Sequence, residues 1–217
     1  MRGPVRSKNL RVMVVLTLLL GAASFSGSAS AIPEGVLAQM RGVSLHPGCP
    51  VGAKDLRYLE VTHWSFELRV EQGVLVVHKD VADEILAAFK ALFEQKFPIE
   101  RMRLVSEYGG SDDRSMEANN TSAFNCRSVT GKPGVFSKHS YGTAIDINPR
   151  TNPYVRGTRY EPKNAGPFLD RSKDFPGSIN AGGPVVSIFA KLGWTWGGSW
   201  RSLKDYQHFE KRKGRPR

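Results

Sequence analysis

Two short segments of the 217-residue chain hold the side chains best suited to chemistry. In the first, SKHSYGTAIDINP (residues 137–149), His139 and Asp146 stand seven residues apart around Gly142. An odd separation in a regular strand sends two side chains to opposite faces, so this pair converges only if the segment bends. Gly142 can supply the bend, leaving residues 144–147 as a short buried strand with Asp146 on the face opposite the isoleucines. A carboxylate between Ile145 and Ile147 is costly to bury unless it is paired or metal-bound. An Asp–His hydrogen bond that merely pins a turn explains these residues equally well.

The second segment, DYQHFE (residues 205–210), sets His208 beside an apolar position and a carboxylate. Two histidines and one aspartate would give zinc three protein ligands and leave the fourth position for water, as hydrolytic zinc requires. Asp205, three residues before His208, can lie near a metal without binding it, where a carboxylate accepts a proton from water. Taken singly, His208 is equally a satisfied core imidazole and Asp205 a solvated turn residue. His46, His63 and His78 have no matching surroundings and read as surface or structural.

The elements that must position these groups are partly legible. VTHWSFELRV (61–70) alternates, with Thr62, Trp64, Phe66, Leu68 and Val70 on one face, and predicts a half-buried strand. A turn at 71–73 then leads into VLVVH as its hairpin partner. From Asp80 as N-cap, apolar residues at 81, 85, 89, 93 and 97, with Ala88 and Leu92 beside them, predict a helix that Pro98 ends. IERMRLVSEY predicts another strand, SDDRSMEANN a loop, and SAFNCRSV a short edge segment. Residues 151–180 have no sustained period and predict a long functional loop, a rim or lid. PVVSIFAKL predicts a second helix with Pro184 in its first turn and Gly193 as its stop. This order implies an α+β fold, a mixed and mostly antiparallel sheet with helices packed on one side.

The N-terminal segment predicts export from the cytoplasm. Residues 1–31 combine a basic start, an apolar core (12–23) and a small-x-small cleavage motif at 29–31, the pattern of an export signal. The apolar run is short for a bilayer span, so no retained membrane anchor is expected. Its removal leaves one domain, residues 32–210, and a basic tail, KRKGRPR (211–217). The leader holds four basic and no acidic residues, which lowers the formal charge from +11 to +7, and five of those seven charges lie in the tail. Such a tail is a solvated end or a contact for an anionic wall polymer. No basic-aromatic interleaving favours nucleic acid. Cys49 and Cys126 would meet an oxidising space, where one disulfide between them is the simplest outcome.

Taken together, SKHSYGTAIDINP, WTWGGSW and DYQHFE resemble the zinc peptidases that cleave D-amino-acid bonds in bacterial cell-wall peptides: D-alanyl-D-alanine carboxypeptidases and dipeptidases, and L-alanyl-D-glutamate endopeptidases. That family's signature is S-x-H-x-x-G-x-A-x-D followed by acid-x-x-His. Ser137, His139, Gly142, Ala144, Asp146, Asp205 and His208 fill every position. NNTSAFNCR and NPYV are similar to one branch of it. The resemblance implies a hedgehog/D-Ala-D-Ala metallopeptidase-like fold with the zinc site on the sheet, and His139, Asp146 and His208 as ligands. It makes Asp205 the general base, and Arg127 the group that stabilises the oxyanion or orients substrate; a surface ion pair with Asp112, Asp113 or Glu117 is the plainer use of Arg127. Ser137 would bind substrate or brace the site. Trp196 and Trp200 would wall the cleft or sit in the core. The implied partners are peptidoglycan stem peptides, cut by a carboxypeptidase or an endopeptidase secreted to, or held in, a bacterial envelope. A non-catalytic wall-binding or zinc-sensing module on the same fold is the alternative.

Overall fold

The computed structural model describes residues 23–129 and 132–211. The basic start and apolar core of the expected export signal, up to residue 22, lie outside the described residues, as do residues 212–217 of the tail. Strand β1 (Gly27–Ser30) pairs antiparallel with β2 (Leu56–Trp64), running Gly27 opposite Val61 to Ser30 opposite Tyr58. A chain cut after Ala31 would therefore carry neither β1 nor the contact of Phe25 with Phe93. Helix α1 (Glu34–Met40) follows, and β2 turns into β3 (Val70–His78).

That hairpin closes earlier than its alternation suggests. The turn is residues 65–69, with Ser65 N–H donating to the Arg69 carbonyl, and Leu68 sits exposed at φ 55°. Residues 71–73 belong to β3. The fully buried positions of β2 include Leu59, Val61 and His63, the parity opposite to the expected one. Both faces of this sheet are covered, and Trp64 stacks on Phe93 while its indole N–H donates to the Phe93 carbonyl. Local alternation cannot reveal which face is covered more.

Helix α2 (Ala82–Glu94) presents Ile85, Ala88, Phe89, Leu92 and Phe93 to the core, as its periodicity demands. Its start is a 3-10 turn at Lys79–Val81 in which the His78 ring, not Asp80, accepts a backbone N–H. Beyond it, β4 (Arg101–Met102) is only two residues long and pairs in parallel with β5 (Asn120–Thr121). Between them the expected loop holds a helix, α3 (Asp112–Glu117), because the Ser111 hydroxyl caps the Arg114 N–H and two aspartates fill the first turn. Hairpin β6 (Ser128–Val129) and β7 (Lys132–Phe136) leads into the histidine segment and β8 (Ala144–Asp146).

The long 151–180 segment is not structureless: β9 (Tyr154–Arg156) and β10 (Arg159–Glu161) form a hairpin. The second helix, α4 (Pro184–Lys191), ends as expected with Gly193 at φ 77°. Strand β11 (Trp194–Trp196) pairs with β13 (His208–Lys211), which pairs with β8, while β12 (Lys204–Asp205) joins β9. Apart from β4–β5 every strand pair is antiparallel, so the chain is α+β as expected. One core joins α2 and α4 to the inner faces of two sheets; a second holds Met40, Leu56, Val76, Leu104 and Phe124. The Cys49–Cys126 disulfide is formed within this second core, and Cys126 immediately precedes Arg127. Lys211 ends β13 with its ammonium on Glu84 and the Leu192 carbonyl, so the tail leaves from an anchored point. No helix among the described residues is long and apolar enough to cross a membrane.

Candidate metal centre and active site

Sequence spacing becomes geometry at Gly142. Residues 138–141 form a 3-10 turn capped by Ser137, whose hydroxyl accepts the His139 N–H at 3.3 Å. Gly142 ends the turn at φ 66°, and its carbonyl accepts the His78 N–H. A Cβ there would lie 2.5 Å from that nitrogen, so both conformation and space require glycine. The chain then enters β8, where Asp146 stands directly opposite His208 of β13. Directly opposed residues project to one face, which is how two positions 62 apart in sequence meet. Ser122 bonds the Asp146 backbone from the other side.

Three donor atoms converge there. His139 Nε2 is 3.1 Å from Asp146 Oδ2, His208 Nδ1 is 2.9 Å from Asp146 Oδ1, and the two ring nitrogens are 3.3 Å apart. Tetrahedral zinc with ligands at about 2.0–2.1 Å needs ligand atoms about 3.3–3.4 Å from one another, close to these separations. All three residues are buried.

The outer partners fix which nitrogen faces inward. His139 Nδ1 donates to the Ala123 carbonyl at 2.6 Å, and the outward Nε2 of His208 lies 3.4 Å from Glu210 Oε2. In the neutral tautomers these partners favour, two imidazole lone pairs and a carboxylate point at one place with no proton between them, a set that suits a cation. The same groups by themselves draw a proton onto His208 at neutral pH, the positive charge that a bound cation would otherwise supply. Burial disfavours a charged His208, yet hydrogen bonds to Asp146 and Glu210 outweigh it and push its pKa up to about 10. Burial likewise opposes the Asp146 carboxylate, but His139 and His208 hold it well below the usual carboxylate range. The pocket is short of positive charge.

Asp205 lies on the adjoining sheet, in β12 opposite Tyr154. Gly197, the first glycine of WTWGGSW, passes against it: a Cβ at 197 would fall 2.8 Å from Asp205 Cβ and 3.3 Å from His208 Cβ. The turn thus brings the two residues side by side. Asp205 Oδ1 is buried with no hydrogen-bond partner. Burial, reinforced by the Asp146 charge and opposed by His208, pushes its pKa up to about 6. A carboxyl poised near neutrality beside a cation site is suited to proton transfer.

Arg127 makes an ion pair with Asp112, Nη2 to Oδ2 at 2.6 Å. Its backbone is clamped: its N–H donates to Ser140 Oγ, and its carbonyl accepts from Ser140 Oγ and from the Ser137 N–H. Ser137 is 7 % exposed, and its hydroxyl faces the His139 N–H. Trp196 is 6 % exposed, in the core, with its indole N–H on the Tyr206 carbonyl. Trp200, half-buried, has its ring 5.5 Å from that of His208, making it the indole beside the His/Asp/His group. The contact of Glu210 with His208 adds a group the motif did not assign, though it was legible, since i and i+2 in a strand share a face. Of the three acids offered to Arg127 by the sequence, Asp112, Asp113 and Glu117, the fold selects Asp112, a choice that nothing local dictates. A second donor group, His46, Cys49 and Cys126, has its two sulfurs joined in the disulfide, which leaves no thiolate for a metal.

Residues 130–211 match the family described as D-alanyl-D-alanine carboxypeptidase. The match bears out the family resemblance over the segment that holds His139, Asp146, Asp205 and His208, and it supports a peptidase. It spans less than half of the chain and begins after Arg127. No curated protein and no solved structure matches the chain.

Proposed function

We propose that the protein is an exported zinc peptidase that hydrolyses a D-amino-acid-containing bond in peptidoglycan stem peptides. The observation that carries the proposal is the convergence of His139 Nε2, Asp146 and His208 Nδ1 beside Asp205, whose Oδ1 is buried without a hydrogen-bond partner. Those three residues would hold the zinc, which supplies Lewis-acid polarisation of the scissile carbonyl and lowers the pKa of water. Asp205 takes the proton of the attacking water and returns it to the leaving amine. Arg127 donates to the oxygen on which negative charge develops. Ser137 and Ser140 hold the turn and the arginine in place, and Trp200 offers a ring to the substrate chain.

The matched family's description favours a D-Ala-D-Ala bond. A digest of purified muropeptides followed by mass spectrometry tests this, with and without a chelator. Loss of one terminal alanine, abolished by chelation and restored by zinc, is the expected result. A cut between L-Ala and the D-residue would make it an endopeptidase, and no chelator-sensitive cut would sink the peptidase reading. The export signal at 1–31, the single domain at 32–210 and the wall-polymer role of the 211–217 tail belong to the same proposal. The mass of the secreted chain and the salt dependence of its retention on walls test them.

A further inference from the structure

The Arg127–Asp112 contact is the plainer reading of that arginine from the sequence, a simple ion pair. Its setting in the structure argues for more. Asp112 opens α3, whose start is fixed by the Ser111 cap. The far side of α3 is fastened where Asn120 Nδ2 donates to Ser115 Oγ and to the Arg103 carbonyl. The preceding residue, Asn119, accepts the backbone N–H groups of Arg150 and Thr151 through its Oδ1. The aspartate is therefore mounted on a braced element. Each partner is about a quarter exposed, unlike the open surface pairs such as Arg41–Glu34. The Arg127 backbone is bonded to Ser137 and Ser140, on either side of His139, which puts the pair beside the His/Asp/His group.

Arg127 needs such a mount. Its backbone is fixed by Ser140 and Ser137 and by the disulfide at Cys126, but the side chain beyond has several free torsions. Of its guanidinium donors, Nη2 is taken by Asp112, Nη1 reaches only the Ser128 carbonyl at 3.4 Å, and Nε has no partner. One strong, short contact thus sets the orientation of the whole fork.

We propose that Asp112 is a positioning residue for the peptidase reaction: through Nη2 it fixes the orientation in which the Arg127 guanidinium meets the substrate's developing oxyanion. This rests on the peptidase reading above. Catalysis by oriented donors is sensitive to small displacements, of order 100-fold in rate for about 1 Å.

The test is steady-state kinetics on a muropeptide with the zinc-loaded full chain and the variants Asp112→Asn, Asp112→Glu, Arg127→Ala and Asp112→Asn with Arg127→Ala. Asp112→Asn is expected to lower kcat about 10- to 100-fold. KM, zinc stoichiometry and the circular dichroism spectrum should stay near those of the parent, a split that loss of structure alone would not give. Asp112→Glu should recover part of kcat, and the double variant should be no slower than Arg127→Ala, because the aspartate acts through the arginine. Should Asp112→Asn prove unstable, the glutamate variant and the double variant, which removes both charges of the pair, carry the same comparison. The proposal is overturned if Asp112→Asn keeps kcat within about twofold while Arg127→Ala loses it, or if the two effects multiply in the double variant; in both cases the peptidase reading stands. If the parent chain cleaves no muropeptide, that reading falls, and the role of Asp112 with it.

Discussion

The trio of His139, Asp146 and His208 and the groups that flank it are built in different ways. His139, Asp146 and His208 are each less than a tenth exposed, and strand register or a capped turn fixes every backbone among them. Asp205 and Arg127 stand on short pieces, a two-residue strand and the residue before another. What holds them is a glycine turn beneath one and an ion pair against the other. The difference teaches that the proposed metal binding and proton transfer should be separable, since the residues for the first are set by the sheet and those for the second by its attachments.

The largest effect should come from the trio. His208→Ala removes a ligand and leaves Asp146 and Glu210 short of a partner, so bound zinc should fall below stoichiometry and hydrolysis to background, read by metal analysis beside the muropeptide assay. Asp205→Asn should lower kcat about 10²- to 10⁴-fold with zinc content unchanged. Loss of zinc in that variant would erase the distinction between the two regions.

pH sharpens it further. With the Asp205 pKa raised to about 6, activity should fall as pH drops through that value, since a protonated carboxyl cannot accept the water's proton. The stability sign is opposite. The native state keeps this proton to a higher pH than the unfolded chain, whose reference value is 3.8, so the contribution of Asp205 to stability declines as pH rises from about 4 to about 6. Asp205→Asn should therefore raise the thermal midpoint of the metal-free protein at neutral pH, and an unchanged midpoint would count against a buried, costly carboxylate.

A smaller effect is expected outside the trio itself. Glu210→Gln loosens the orientation of His208 and should weaken zinc affinity about 10- to 100-fold, measured by chelator competition, with a smaller change in kcat of the saturated enzyme. The smallest is at Trp196. Trp196→Phe removes the donor to the Tyr206 carbonyl and should cost about 1–3 kcal/mol of stability while leaving KM unchanged. A raised KM would put Trp196 on the substrate side.

Some of this was written locally. Helix α2 follows from apolar residues three and four apart, and the end of the histidine turn from a glycine at a left-handed φ. Other local signals misled. The alternation of residues 61–70 ran through a turn, and the polar run 111–120 hid a helix whose cap and first-turn acids were present in the sequence.

By itself, the sequence determined the residue types able to bind a metal, the bend that lets His139 and Asp146 approach, and the two cysteines available to bond. Only the tertiary structure decided that Asp146 lies opposite His208, that Gly197 sets Asp205 beside them, that Trp196 is core while Trp200 faces His208, and that Arg127 is held by Asp112. The physical reason is range. Turns and helices are settled by neighbours a few residues away, whereas strand register and ion pairing join positions tens of residues apart, whose meeting depends on how the whole core packs.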